Sequence, residues 1–110
     1  MGYSIILSAK AKDDIRDIYS YIDGVLCDRR QATGTYRALK SSILSLGEMP
    51  KRRSLVDDPE LAERGIRALR SGRYLVFYLV QEVPPCVVVV RVLHERREWR
   101  SLVDSPVTGS

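Results

Sequence analysis

Gly65-Ile66-Arg67-Ala68-Leu69-Arg70-Ser71-Gly72-Arg73-Tyr74-Leu75-Val76-Phe77-Tyr78-Leu79-Val80 is the stretch whose reading decides the fold. Two β-rich runs, 66–70 and 74–80, flank Ser71-Gly72, a short loop that supplies positive φ at no steric cost. A loop holding Val83-Pro84-Pro85 follows, and proline cannot donate to a ladder. Cys86 then opens a third run, 87–93, closed by His94-Glu95-Arg96-Arg97-Glu98-Trp99. β-rich runs punctuated by turn chemistry predict an antiparallel meander. In the middle run Tyr74, Val76, Tyr78 and Val80 share one face, and Leu75, Phe77 and Leu79 share the other. Both faces are apolar, so both need a cover.

The first half of the chain supplies one cover. Residues 3–7 read as a first strand, and Ser8 as an N-cap whose hydroxyl accepts from an orphan backbone N–H. Ala11, Ile15, Ile18, Tyr19, Ile22 and Leu26 recur at helical spacing, which predicts an amphipathic helix over 9–26. Asp13 and Asp14 near its start complement the helix dipole. Residues 27–30 read as a connector. A second stripe, Ala32, Tyr36, Leu39, Ile43 and Leu46, ends at Gly47, and Pro50 forbids continuation. These helices predict an αα-hairpin packed on the sheet.

Lys51-Arg52-Arg53 and Asp57-Asp58-Pro59-Glu60 read as an exposed connector that partly neutralises itself, with a turn of helix over 59–63. The segment 95–103 is long enough to hide only part of the second sheet face. The expectation is an apolar groove there, edged by Arg67, Arg70, Arg73 and Arg91. Residues 104–110 lack periodicity and read as a mobile tail after a single domain spanning 1–103. The fold class is α+β: an N-terminal strand, an antiparallel helical hairpin on a mainly antiparallel four-stranded sheet (β-α-α-β-β-β), and a short C-terminal helix.

Charge is unevenly spread in this 110-residue, +4 chain. Residues 64–100 carry eight bases, all Arg, against three acids. Arginine forks suit carboxylate or phosphate, so an acidic protein or a nucleic acid is the expected partner class. His94 is the only histidine and the two cysteines, Cys27 and Cys86, lie far apart, which excludes a multi-histidine zinc site and argues for free thiols. No metal or cofactor is expected. Residues 5–7 are too short for a signal-peptide core and no run approaches a membrane span, so the chain reads as cytoplasmic.

The order strand, helical hairpin, meander resembles the RelE/ParE toxin superfamily over residues 3–102. The similarity rests on the opening 3–8 run with Ala11, Tyr21-Ile22, Gly65-Ile66-Arg67-Ala68-Leu69 with Gly72-Arg73-Tyr74, Val76-Phe77-Tyr78, and Arg91-Val92-Leu93-His94 before Arg96-Arg97-Glu98-Trp99. Within that superfamily, RelE-like members are ribosome-dependent mRNA endoribonucleases with basic residues on the open sheet face. Here the corresponding positions are Ile66, Ala68 and Leu75, all apolar. ParE-like members bind and inhibit DNA gyrase without a recognised catalytic site, and the chain leans this way.

The resemblance therefore implies a type II toxin that acts by binding and not as an enzyme, of the kind associated with plasmid stabilisation. Its target-binding residues are expected to be Arg91, His94, Arg96, Arg97, Trp99 and Arg100, with His94 the one weak catalytic candidate. A ParD-like antitoxin is implied, contacting Arg67, Arg70, Arg73, Leu75 and Phe77 and folding across the second sheet face and the hairpin. Operator DNA would be reached only through the antitoxin, in a homodimer or a heterotetramer. The alternatives are a RelE-like ribonuclease and an inactive antitoxin-binding member.

Overall fold

The computed structural model describes residues 2–108, with side chains through Val103. Strand β1 (Ser4–Leu7) leads into helix α1 (Ala9–Ser20), a π-helical turn (Tyr21–Val25) and helix α2 (Arg29–Ser45). A 3-10 turn (Pro50–Arg52) and the short helix α3 (Pro59–Glu63) precede the meander β2 (Arg67–Ser71), β3 (Tyr74–Glu82) and β4 (Pro85–His94). Helix α4 (Trp99–Thr108) closes the chain. The stretch 104–110, expected as a tail, lies outside the described residues except for backbone that continues α4 through Thr108.

The sheet order is β1-β4-β3-β2, with β1 parallel to β4 and the meander antiparallel. Gly72, at φ +61, makes the β2–β3 turn as expected of the Ser71-Gly72 pair. Ser8 caps α1: its Oγ accepts from the Ala11 N–H at 3.0 Å and donates to the Val90 carbonyl at 2.9 Å. The predicted 9–26 helix changes character after Ser20. One wider turn rotates the stripe, so Ile22 is buried while Leu26 stands 49% exposed. Helix α2 begins earlier than its stripe, because the Asp28 carboxylate accepts from the Gln31 N–H at 3.0 Å.

Two cores share the sheet. The hairpin side gathers Ala11, Leu39, Ile43 and Leu46 against Leu69, Val76, Tyr78, Val87, Val89 and Val92. The other side gathers Val56, Leu61 and Val103, with Trp99 and Leu102, over Ile66, Phe77, Val90 and Leu93. The expected apolar groove on this second face is therefore not formed. The 55–64 segment with α3 joins α4 in covering it, and Phe77 is fully buried. Read as a mere connector, that segment in fact brings Val56 and Leu61 to the sheet.

Strand β4 outruns β1, which pairs only Ser4–Leu7 with Cys86–Val89. Beyond that, α1 satisfies the strand edge through side chains. Asp14 Oδ2 accepts from the Val92 N–H at 2.9 Å, beside a bulge where Phe77 pairs with Arg91 and Tyr78 with Val89.

Candidate functional site

Strand β4 ends in a tight turn that gathers part of the expected target-binding set. The Glu95 N–H bonds the Arg73 carbonyl at 2.8 Å and the Arg97 N–H bonds the His94 carbonyl at 3.0 Å. The Arg96 N–H donates to His94 Nδ1 at 3.1 Å, which makes Nδ1 the acceptor nitrogen of the ring. The imidazole stands edge-on to Tyr74, centroids 5.4 Å apart, and the two rings with Arg97, Asp17 and Tyr21 line a cleft of about 530 Å³. Arg96 and Arg97 are exposed. Glu95 is held by Arg70, whose hydrogen bond pulls its carboxyl below the usual range. The turn thus presents two exposed guanidinium forks beside a half-buried imidazole.

The remaining members of that set point elsewhere. Arg91 is buried, its guanidinium donating to both Asp14 oxygens at 2.7 and 2.8 Å and to the Leu102 carbonyl at 3.2 Å. It ties β4 to α1 and α4 and is not a surface cation. Trp99 packs on Phe77, centroids 5.2 Å apart, and Arg100 lies over the indole at 4.4 Å while donating to the Asp57 carbonyl. Those contacts dock α4. His94 has no carboxylate within hydrogen-bond reach among the described residues. Ile66, Ala68 and Leu75, the positions singled out above for the cations of a ribonuclease, lie in or against the second core, so that face is apolar and covered here.

The residues expected to meet an antitoxin are dispersed. Arg67 bonds back to the loop at Lys51 and Arg53, Arg70 pairs with Glu95, Arg73 is exposed at the β2–β3 turn, Leu75 is half-buried and Phe77 inaccessible. A different surface is open. Between α1, α2 and β1 run two adjoining hollows of about 430 and 260 Å³ that share Leu7, Ile15 and Tyr36. Lys12 and Arg16 stand at one end, Lys40 and Leu44 at the other, and Leu44 is 59% exposed. Beside this groove β1 is the edge strand, with its outer ladder unpaired among the described residues. Sequence reasoning assigned Ile15 and Tyr36 to the core stripe. The signal it passed over was Leu44, an apolar residue off that stripe.

Among the described residues no group of three metal-ligating side chains occurs, and no helix is long and apolar enough to cross a membrane. Comparison with solved structures identifies the fold. A chain of the chromosomal ParDE system from P. aeruginosa superposes with a TM-score of 0.69 at 17% identity, covering 84% of this chain and 95% of that one. The toxin–antitoxin complex RelBE2 from Mycobacterium tuberculosis gives 0.60 at 18% identity, covering 86% and 92%. A mutant of the E. coli toxin RelE in the free state gives 0.63 at 20% identity, covering 99% and 97%. No protein of curated function matches significantly. The family model for the ParE toxin of the type II toxin–antitoxin system parDE matches residues 5–99, and the chain belongs to that family of the RelE/ParE superfamily.

Proposed function

We propose that this toxin acts by binding DNA gyrase through the 94–97 turn, with a ParD-like antitoxin neutralising it. One observation carries the reading: Arg96 and Arg97 project from the turn while the sheet face behind it is filled by apolar side chains. Stabilising the charge that develops on a phosphate during RNA cleavage calls for cations arrayed on that face. Exposed arginines beside an aromatic-lined cleft suit a protein interface instead.

The test is a supercoiling assay with purified gyrase beside an mRNA cleavage assay on programmed ribosomes. The wild-type toxin is expected to block supercoiling and leave mRNA intact. The R96Q/R97Q double variant is expected to lose inhibition by about tenfold or more, the equivalent of one charge-assisted hydrogen bond. Cleaved mRNA with normal supercoiling would overturn the reading. The ribonuclease alternative draws on one feature, the His94 imidazole lining a cleft with Arg97, and predicts that H94A abolishes cleavage.

On this reading the antitoxin docks in the groove between α1, α2 and β1. Its apolar floor and its rim of Lys12, Arg16 and Lys40 fit an acidic amphipathic segment that orders on binding. An I15D variant is expected to bind the antitoxin at least tenfold more weakly by calorimetry while keeping its fold, since Ile15 is only partly buried.

A further inference from the structure

The basic triplet Lys51-Arg52-Arg53 plays no part in the reading above, yet the fold anchors it firmly. The buried hydroxyl of Tyr78 donates to the Pro50 carbonyl at 2.6 Å, pinning the 3-10 turn to β3. Arg67 of β2 donates through Nη1 to the Lys51 carbonyl at 3.4 Å and also to the Arg53 carbonyl. Leu55 forms an isolated antiparallel bridge with Arg67, so the loop lies against the outer edge of β2. Lys51 is neutralised by Glu82, which Tyr3 also contacts at 3.0 Å. Arg52, Arg53 and Arg67 have no carboxylate within ion-pair distance among the described residues.

Arg52 and Arg53 stand exposed on the loop whose carbonyls the Arg67 guanidinium holds, so three cations share one short edge of the fold. Burial raises the Tyr78 pKa, and Arg67, Arg53 and Arg52 all pull against that rise. Like charges held together repel, and an anion carrying several charges offsets that cost. The patch is separate from the 94–97 turn. Tyr78 and the His94-facing Tyr74 are four residues apart on β3, about 13 Å.

We propose that Arg52, Arg53 and Arg67 form a phosphate-binding patch for a nucleic-acid backbone. An acidic peptide is the less suitable occupant. Exposed ion pairs contribute about 0–1 kcal/mol each, so a peptide needs an apolar seat as well. Met49 and Leu55 stand exposed nearby but line neither of the apolar hollows, which lie between α1, α2 and β1. A polyanion needs no such seat, because each neutralised phosphate releases condensed counterions.

The test is fluorescence anisotropy of the full chain with a labelled duplex of about 20 base pairs and arbitrary sequence, titrated at several salt concentrations. The R52Q/R53Q variant keeps the backbone carbonyls that Arg67 uses, so the loop is retained. It is expected to bind several-fold more weakly, with the slope of log K against log salt reduced by about 2. The R30Q/R37Q variant removes the same charge from exposed positions on α2 and is expected to keep the wild-type slope. Equal loss in both variants would show diffuse attraction only and overturn the proposal. So would wild-type protein that binds no duplex, or a polyglutamate peptide that binds as tightly as DNA. The duplex and the peptide are the only probes, so the outcome does not depend on gyrase.

Discussion

Asp14 joins three parts of the molecule through one carboxylate. It accepts from Arg91 Nε and Nη2 and from the Val92 N–H, and Arg91 in turn reaches the Leu102 carbonyl. Both side chains are about a tenth exposed, at 11% and 9%. The Asp14 hydrogen bond raises the Arg91 pKa, so the guanidinium stays charged at every accessible pH. Removing one partner of such a pair leaves the other buried and uncompensated. D14N is therefore expected to cost about 3–5 kcal/mol in urea unfolding. Neither role was legible in the sequence. Asp14 read as a dipole residue and Arg91 as a surface cation, because alternation along β4 does not reveal the bulge at Val90. Tyr78 is simpler: Y78F strands the Pro50 carbonyl, for an expected loss of about 1–3 kcal/mol by the same measurement.

At the scale of elements, the meander and the helical hairpin were legible because β-rich runs bounded by turn residues and apolar stripes at helical spacing survive local breaks such as the π-helical turn after Ser20 and the bulge at Val90. The cap at Ser8, the αL turn at Gly72 and the turn of helix at Pro59–Glu63 follow from single residues with one strong preference. The cover over the second sheet face was not legible. It is assembled from short, aperiodic pieces, and only the fold brings Val56, Leu61 and Val103 together. The open groove at the hairpin was hidden for the converse reason, since Ile15 and Tyr36 obey the helical stripe and still line it. Helix α4, one piece of that cover, packs on Phe77 of the sheet through Trp99, the only tryptophan. W99A is expected to destabilise the protein by about 2–4 kcal/mol, below the range for a fully buried tryptophan because the residue is only partly buried. In the wild type, indole fluorescence reports the docking of α4 directly. Its transition in denaturant is expected at or before the loss of backbone circular dichroism, and a later transition would contradict the docked arrangement.

At the scale of the whole molecule the two faces of the sheet are unequal. One is sealed by the 55–64 segment and α4; the other carries a hairpin whose margin against β1 stays open. A partner that neutralises this toxin by filling the open margin must order the edge strand and the first helix, and leave the sealed face as it was. Amide hydrogen exchange measured with and without the antitoxin distinguishes the sides. Added protection is expected in β1 (Ser4–Leu7) and along α1 (Ala9–Ser20), with little change across α3. Edge pairing would also protect N–H groups of β1 that point away from β4, and these exchange freely in the unbound chain if no strand covers them. Protection concentrated instead at β2 and the residues before α4 would return the antitoxin to the second face, where Arg67, Arg70 and Arg73 were first expected to meet it. That result would require α4 to leave Phe77, so Trp99 fluorescence would shift in the same titration. Hairpin-side docking predicts no such shift.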